Sequence, residues 1–453
     1  MTADSTRLSF KEKIGYGLGD TASHFVWDMV GFWILIFYTD TFGISPAAAG
    51  TIMLIARIWD MASDPLMGVI SDRTRSRWGK FRPYLLWTAL PYGVLAVLTF
   101  STPDLGQTGK VIYAAVTYLL LMTAYTAINL PYSSLGAVMT SDSLERTSLN
   151  TYRFICAFAG QLVVSGLALT LAGTFGGGDD AKGYRLTVTL FAVISFVLFM
   201  VTFFSTRERI QPPPSQEDSL KLDFRLLLRN RPWVILAVVG IVSFVMFALQ
   251  NLSVAYYFKY YIGREKDVQL FNVLGSIALI VALPLSKPLA QRFGKKNVFI
   301  GSSILSGLFF TLLYLPGAES IVWIHALNIL AKMAYAPAVP LLWTMIADAA
   351  DYGEWTTGRR ATGLFFSAAT FAQKGGWGIG GALAGWLLAA YGYVEQAAEQ
   401  TALALTGIKL MISVFPGLLY MSCAIALIFY NIDEATVAEM KRDLDERRRG
   451  EME

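Results

Sequence analysis

Charge is what this sequence has least of for its length. Only 15% of its 453 residues are Asp, Glu, Lys or Arg, where a soluble domain carries about 25%. Much of its surface must therefore face something other than water. Cysteine and histidine are scarcer still, two of each. Cys156 and Cys423 match no disulfide or metal-ligand spacing, so they read as packing residues. His24 and His325 bring with them no nucleophile–base pair and no metal cluster, so an enzyme is not expected. The formal net charge of +4 is too small to suggest a nucleic-acid partner. The N-terminus is polar to about Lys13 and then enters a long apolar run, so no cleavable signal peptide is expected.

What the sequence has in abundance is apolar runs. A helix needs about 20 apolar residues to cross a bilayer. Candidate spans fall near 14–40, 45–71, 82–101, 109–138, 150–174 and 184–205. After a polar stretch with Pro212, Pro213 and Pro214, a second set falls near 232–262, 267–290, 297–316, 320–347, 362–391 and 408–432. The expected fold is an all-α membrane protein of twelve transmembrane helices in two six-helix halves. Residues 1–205 form the first bundle, 206–231 a linker, 232–432 the second bundle and 433–453 a tail.

Basic residues collect on alternate loops. They include Arg73, Arg75, Arg77, Lys80 and Arg82 after the second span, and Arg207, Arg209, Lys221, Arg225, Arg229 and Arg231 in the linker. Arg292, Lys295 and Lys296 follow the eighth span, and Lys441, Arg442 and Arg447 to Arg449 occupy the tail. The positive-inside rule then places these loops and both termini in the cytoplasm. The basic turn of Trp78, Gly79 and Lys80 is echoed by Arg292, Gly294, Lys295 and Lys296 at the matching place in the second half. Repeats of this kind put a substrate site near the bilayer midplane between the halves.

A charge at the bilayer centre costs at least about 2.5–3.5 kcal/mol on insertion scales, so charged residues within spans mark candidate sites. Asp20, His24 and Asp28 recur every four residues and share one face of the first helix. A salt bridge of Asp20 to a basic neighbour is the alternative reading. In the second span Arg57 precedes Asp60 and Asp64, one turn apart. Two close carboxylates do not both ionise cheaply in a low dielectric, and a cation or shared proton relieves them. A simple ion pair with Arg57 is the alternative. Later spans add Tyr125, Thr126 and Asn129, then Arg153, then His325, Asn328 and Lys332, then Gln373 and Lys374. Trp27, Tyr125, Tyr132, Trp343 and Trp377 either stack on a sugar ring or pack in the core.

These residues carry a resemblance that runs through nearly the whole chain in order. Arg57-Ile-Trp-Asp60-Met-Ala-Ser-Asp64-Pro65, Thr74-Arg-Ser-Arg-Trp-Gly-Lys80-Phe-Arg-Pro83, Tyr125-Thr-Ala-Ile-Asn129-Leu-Pro131, Ala347-Asp-Ala-Ala-Asp351-Tyr-Gly-Glu354 and Lys374-Gly-Gly376 resemble the glycoside–pentoside–hexuronide:cation symporters. That family is a branch of the major facilitator superfamily whose type member is the melibiose permease. The opening Gly15-Tyr-Gly-Leu-Gly-Asp20-Thr-Ala-Ser-His24 looks closest to xyloside-type members.

The resemblance implies import of a glycoside or small oligosaccharide, a xyloside included, coupled to a proton or sodium ion by alternating access. It implies a cation site at Asp60, Asp64 and Thr126, with Ser63 standing where the type member has asparagine. It implies a substrate site drawn from His24, Asp28, Asp20, Trp27, Tyr125, Asn129, Arg153, Gln373 and Lys374. Arg292, Asp348 and Asp351 are expected to form gating charge pairs. No cofactor is implied, and no metal beyond a sodium ion. The expected partners are the sugar and the lipid bilayer, for a chain that works as a monomer in the cell inner membrane. His24 and Asn129 replace two acids that grip galactoside hydroxyls in the type member, and Val339 replaces a tryptophan. The lost amide at Ser63 argues against sodium, and a histidine that titrates near neutral pH favours protons. A lipid or lysolipid transporter of the same superfamily and a non-transporting sugar sensor remain as alternatives.

Overall fold

The computed structural model describes residues 8–140, 143–209, 227–358 and 362–450. The linker's Lys221, Arg225 and Pro212 to Pro214 lie outside them, as do the side chains of Asp72, Lys441 and Arg447 to Arg449. Among the described residues the chain is helical, and a helix stands at each of the twelve places where a span is expected.

The first six are α1 (Phe10–Ile36), α2 (Pro46–Arg73), α3 (Arg82–Thr99), α4 (Gln107–Met139), α5 (Ser143–Gly176) and α6 (Asp180–Ser205). The second set begins with α7 (Arg231–Tyr256) and α8 (Asp267–Ala282), followed by the short α9 (Ser286–Phe293) and then α10 (Lys295–Leu312). It continues with α11 (Ile321–Tyr335), α12 (Ala338–Thr357), α13 (Thr362–Ala390), α14 (Ala402–Ile412) and α15 (Val414–Ile428), and α16 (Glu434–Gly450) forms the tail. Eight helical runs among the described residues, some spanning a short interruption, are long and apolar enough to cross a membrane. Helix α2 is not among them, and its middle carries Arg57, Asp60 and Asp64.

Several spans read as single runs are broken in the structure. The eighth bends through a tight turn, Leu283–Leu285, around Pro284, which has no N–H to continue the ladder. The tenth is interrupted after Tyr335 beside Pro337, and the last at Ser413. Prolines also sit inside α2, α3 and α4 at Pro65, Pro91 and Pro131. Such breaks are tolerated in membrane helices because neighbours satisfy the freed carbonyls. Helix starts are capped locally. Ser9 and Glu12 form a reciprocal capping box on α1, and Ser45 accepts from Ala48 at the start of α2. Asp433, beyond the spans, is held below the usual carboxylate range by the Thr436 backbone N–H and hydroxyl it caps.

The chain divides into two compact units. One comprises Met1–Ser215 with Glu265–Leu270 and Gly385–Ala404, and the other comprises the remaining segments. Within the first, Tyr393 donates its hydroxyl to Asp40 and the Trp386 indole donates to Thr51 at 3.2 Å.

The packing of α1 on α5 positions the candidate site. Lipid supplies no hydrophobic drive between helices, so close contact relies on small residues. A Cβ at Gly17 would stand 3.0 Å from the Tyr152 carbonyl oxygen, and one at Gly160 3.3 Å from the Thr21 Cα. With both absent, the backbones approach closely enough for the Thr21 hydroxyl to reach the Cys156 carbonyl at 2.8 Å. In the second unit, Trp233, Phe299, Met345, Phe365 and Tyr430 belong to one buried apolar cluster.

Candidate functional site

The polar residues of α1, α2, α4 and α5 meet inside the first unit. Asp60 is fully buried. Its Oδ1 accepts from the Thr126 hydroxyl of α4 at 2.7 Å, and the same hydroxyl lies 3.5 Å from Asp64 Oδ1. The two acids of α2 thus converge on one oxygen of the neighbouring helix. Arg57 lies one turn before, with Nη1 3.4 Å from Asp60 Oδ2. Ser63 is buried, but its hydroxyl donates to the Asp60 carbonyl at 3.0 Å, leaving only its lone pairs for an ion. The set brings two carboxylates and one guanidinium together, and its hard oxygen donors suit a monovalent cation or a proton.

A second polar group lies on the α1 face. Asp20 is paired with Arg153 of α5, from Nε at 2.9 Å and Nη2 at 3.4 Å. The Arg153 guanidinium also lies 5.3 Å from the centre of the Tyr132 ring. His24 Nδ1 meets Asp28 Oδ2 at 2.9 Å. The four-residue spacing therefore does place these side chains on one face. It divides them, however, into one interhelical ion pair and one pair within the helix. Asn129 donates to the Tyr125 hydroxyl at 2.7 Å, and its own Oδ1 is buried without a hydrogen-bond partner.

A ladder of rings joins the two groups. The Arg57 guanidinium lies 4.2 Å from the Trp27 ring centre, and Trp27 stacks on Tyr125 at 4.3 Å. Tyr92 of α3 packs against Tyr125 at 6.2 Å and donates its hydroxyl to the Ser23 carbonyl at 3.3 Å. A guanidinium over an aromatic face contributes about 0.5–2 kcal/mol, so Arg57 is shared between the acid and the ring. Tyr92 has no signal in the sequence, since it lies in an otherwise apolar helix. The contact of Arg57 with Trp27 crosses between helices and is equally silent.

Gln373 and Lys374 lie on α13 in the second unit, both half-buried. Asp348 of α12 is paired with Lys295, not with Arg292. Gly294, with φ at +80°, ends α9 and starts α10. Lys295 opens the new helix and reaches Asp348, while Arg292 lies over the ring of Phe293. Asp351 is exposed one turn along.

The Glu208 carboxylate was not foreseen from the sequence. It accepts from the backbone N–H groups of Lys80, Phe81 and Arg82 at 2.8, 2.7 and 3.0 Å. The start of α3 is thereby capped by a residue more than a hundred positions away. Its signal, an acid in a polar linker, is shared with ordinary solvated residues.

Comparison with known proteins identifies the family of the chain. The family described as MFS/sugar transport protein matches residues 15–434. The putative glycoside/cation symporter YagG of Escherichia coli (strain K12) is 40% identical over 439 residues, covering 97% of this chain and 95% of that protein. The inner membrane symporter YicJ of the same organism is 37% identical, covering 94% and 92%. The isoprimeverose transporter of Lactiplantibacillus pentosus is 34% identical, covering 97% and 92%. Among solved structures, the nucleoside transporter NupG superposes with a TM-score of 0.63 at 14% identity, covering 93% of this chain and all of that one. A bacterial homologue of the lysosomal transporter Spinster superposes with a TM-score of 0.67 at 12% identity, covering 93% and 95%. These two likenesses support the fold alone. The chain belongs to the MFS/sugar transport protein family of multi-pass membrane transporters.

Proposed function

We propose that this protein is an inner-membrane symporter that imports a glycoside together with a proton or sodium ion by alternating access, with both termini cytoplasmic. The observation that carries the reading is the convergence of Asp60 and Asp64 on the Thr126 hydroxyl, which brings two carboxylates close together inside an apolar helix bundle. Two legs of 2.7 and 3.5 Å to one hydroxyl put the carboxylate oxygens within about 6 Å of each other. At an effective dielectric of about 20, unit charges at that separation repel by about 3 kcal/mol. A cation or proton between the two carboxylates relieves this repulsion.

Sugar binding falls to the α1 face and its neighbours: His24, Asp28, Asp20, Arg153, Tyr125 and Asn129, with Trp27 as an aromatic wall. The unpartnered Asn129 Oδ1 is an acceptor suited to a hydroxyl. Gln373 and Lys374, in the second unit, are assigned to sugar binding on the strength of the family resemblance alone. Coupling runs through Arg57. A cation on Asp60 weakens the acid's hold on the guanidinium, which also rests on Trp27. Trp27 in turn stacks on Tyr125 beside the sugar groups. By linkage, sugar then raises cation affinity by the same factor as cation raises sugar affinity.

The relatives named for glycosides and for isoprimeverose favour a xyloside-type substrate, and the replacement of the galactoside-gripping acids by His24 and Asn129 agrees. The test is thermal stabilisation of purified protein by a panel of methyl glycosides, with and without sodium, at two pH values. A ligand at a hundred times its Kd stabilises by about 2.7 kcal/mol. A glycoside whose stabilising effect grows with one cation supports the reading. Equal stabilisation under all ionic conditions refutes the coupling.

A further inference from the structure

A separate polar cluster lies wholly within the second unit, on α7, α8 and α11, and no part of the site above uses it. Lys332 of α11 directs its ammonium to Gln250 Oε1 of α7 at 3.0 Å. The Phe247 and Phe310 rings lie 5.3 and 5.8 Å from the same nitrogen. Among the described residues no carboxylate pairs with it. Asn328, one turn earlier, donates Nδ2 to the Phe271 carbonyl of α8 at 2.9 Å. Gly275 of α8 allows this approach: a Cβ there would come within 2.8 Å of Asn328 Nδ2 and 3.4 Å of Lys332 Cγ.

Two polar atoms of this cluster are buried without a partner, Gln250 Nε2 and Asn328 Oδ1. Both residues are only 1% exposed. Leaving such a group unpaired costs about 1–3 kcal/mol. The expense is explained if a partner arrives during the transport cycle. The chemistry of that partner follows from the donors and acceptors on offer. Gln250 and Lys332 have N–H groups to give, and Asn328 has an oxygen to accept. A carboxylate has no hydrogen for Asn328. Neighbouring hydroxyls of a pyranose ring both accept and donate, and Phe247, edge-on to Trp377 at 5.5 Å, offers an apolar wall for the ring's C–H face.

We propose that Gln250, Asn328 and Lys332 form a second subsite that binds hydroxyls of the transported sugar. This rests on the symport reading. The two orphaned atoms are sealed in this conformation beside the half-buried Lys332.

The test uses the full chain, purified and reconstituted, with methyl pentopyranosides and hexopyranosides and their monodeoxy analogues as probes. Affinity is read by counterflow competition for wild type, Lys332→Met and Gln250→Leu. Lys332→Met should weaken the best parent glycoside about tenfold. One deoxy analogue should lose a similar factor in wild type and nothing further in the variant, the non-additivity of a direct contact. If Lys332→Met does not fold, Gln250→Leu serves in the same cycle. If Lys332 only braces α11 on α7, the variant loses thermal stability while every analogue keeps its wild-type affinity ratio, and the subsite is overturned. If wild type binds no glycoside at all, the symport reading fails and takes the subsite with it.

Discussion

Replacing Asp64 by asparagine should abolish uphill sugar accumulation while leaving a protein that inserts and exchanges sugar. Asparagine keeps the shape of the side chain, and Thr126 retains its 2.7 Å bond to Asp60. What disappears is one negative charge. The remaining Asp60 keeps Arg57 at 3.4 Å and no longer faces a second carboxylate. The repulsion of about 3 kcal/mol that a cation relieves in the native site is lost. That corresponds to about a hundredfold in cation affinity. The assay is uptake of labelled glycoside into proteoliposomes under an inward sodium or proton gradient, beside counterflow with no gradient. Accumulation should vanish and counterflow persist. Undiminished accumulation by Asp64→Asn would refute the assignment of the cation site and the charge argument with it.

Other substitutions test other parts of the account. His24→Ala should weaken glycoside binding about tenfold, since it removes a donor beside Asp28 and leaves that acid without its 2.9 Å partner; unchanged affinity across a sugar panel, measured by ligand-induced thermal shift, returns His24 to a structural role. Glu208→Gln should destabilise by about 1–3 kcal/mol, because a neutral amide replaces a carboxylate that accepts from three N–H groups at the start of α3. Thermal melting in detergent reads the loss, and sugar affinity at saturating cation should be unaltered. Gly160→Val should separate α1 from α5, since even a Cβ there lies 3.3 Å from the Thr21 Cα. The yield of monodisperse protein should fall sharply, and a normal yield with normal transport would show that the close approach is not needed to seat Asp20 on Arg153.

Much of the architecture was legible because a bilayer imposes length and hydropathy on each span. A helix stands at all twelve expected places, and the interruptions at Pro284 and Pro337 follow from a residue that cannot extend the ladder. The acids at 60 and 64 were legible for a related reason: charge in an apolar helix is rare, and a separation of four residues puts both on one face. The contacts that organise the site were less so: a basic partner for Asp20 was one expected reading, but not which helix supplies it. Asp20 meeting Arg153, Arg57 resting on Trp27 and Tyr92 supporting Tyr125 all join different helices, and no periodicity within one helix reports its neighbour. The ion pair of Asp348 shows how a local break misleads. Arg292 and Lys295 are near in sequence, but Gly294 ends one helix and begins another, so Lys295 is the residue that reaches Asp348. Glu208 is instructive in the opposite sense, a linker acid whose value lies wholly in three distant backbone groups.

The most direct test of the central claim is sugar accumulation by the wild-type protein in proteoliposomes, followed as sodium and proton gradients are imposed separately and then collapsed with an ionophore. Internal glycoside is predicted to rise above the external concentration under an inward gradient of one of the two ions and to fall back when that gradient is dissipated. Internal glycoside that stops at the external concentration whatever gradient is imposed would contradict cation-coupled transport through Asp60 and Asp64.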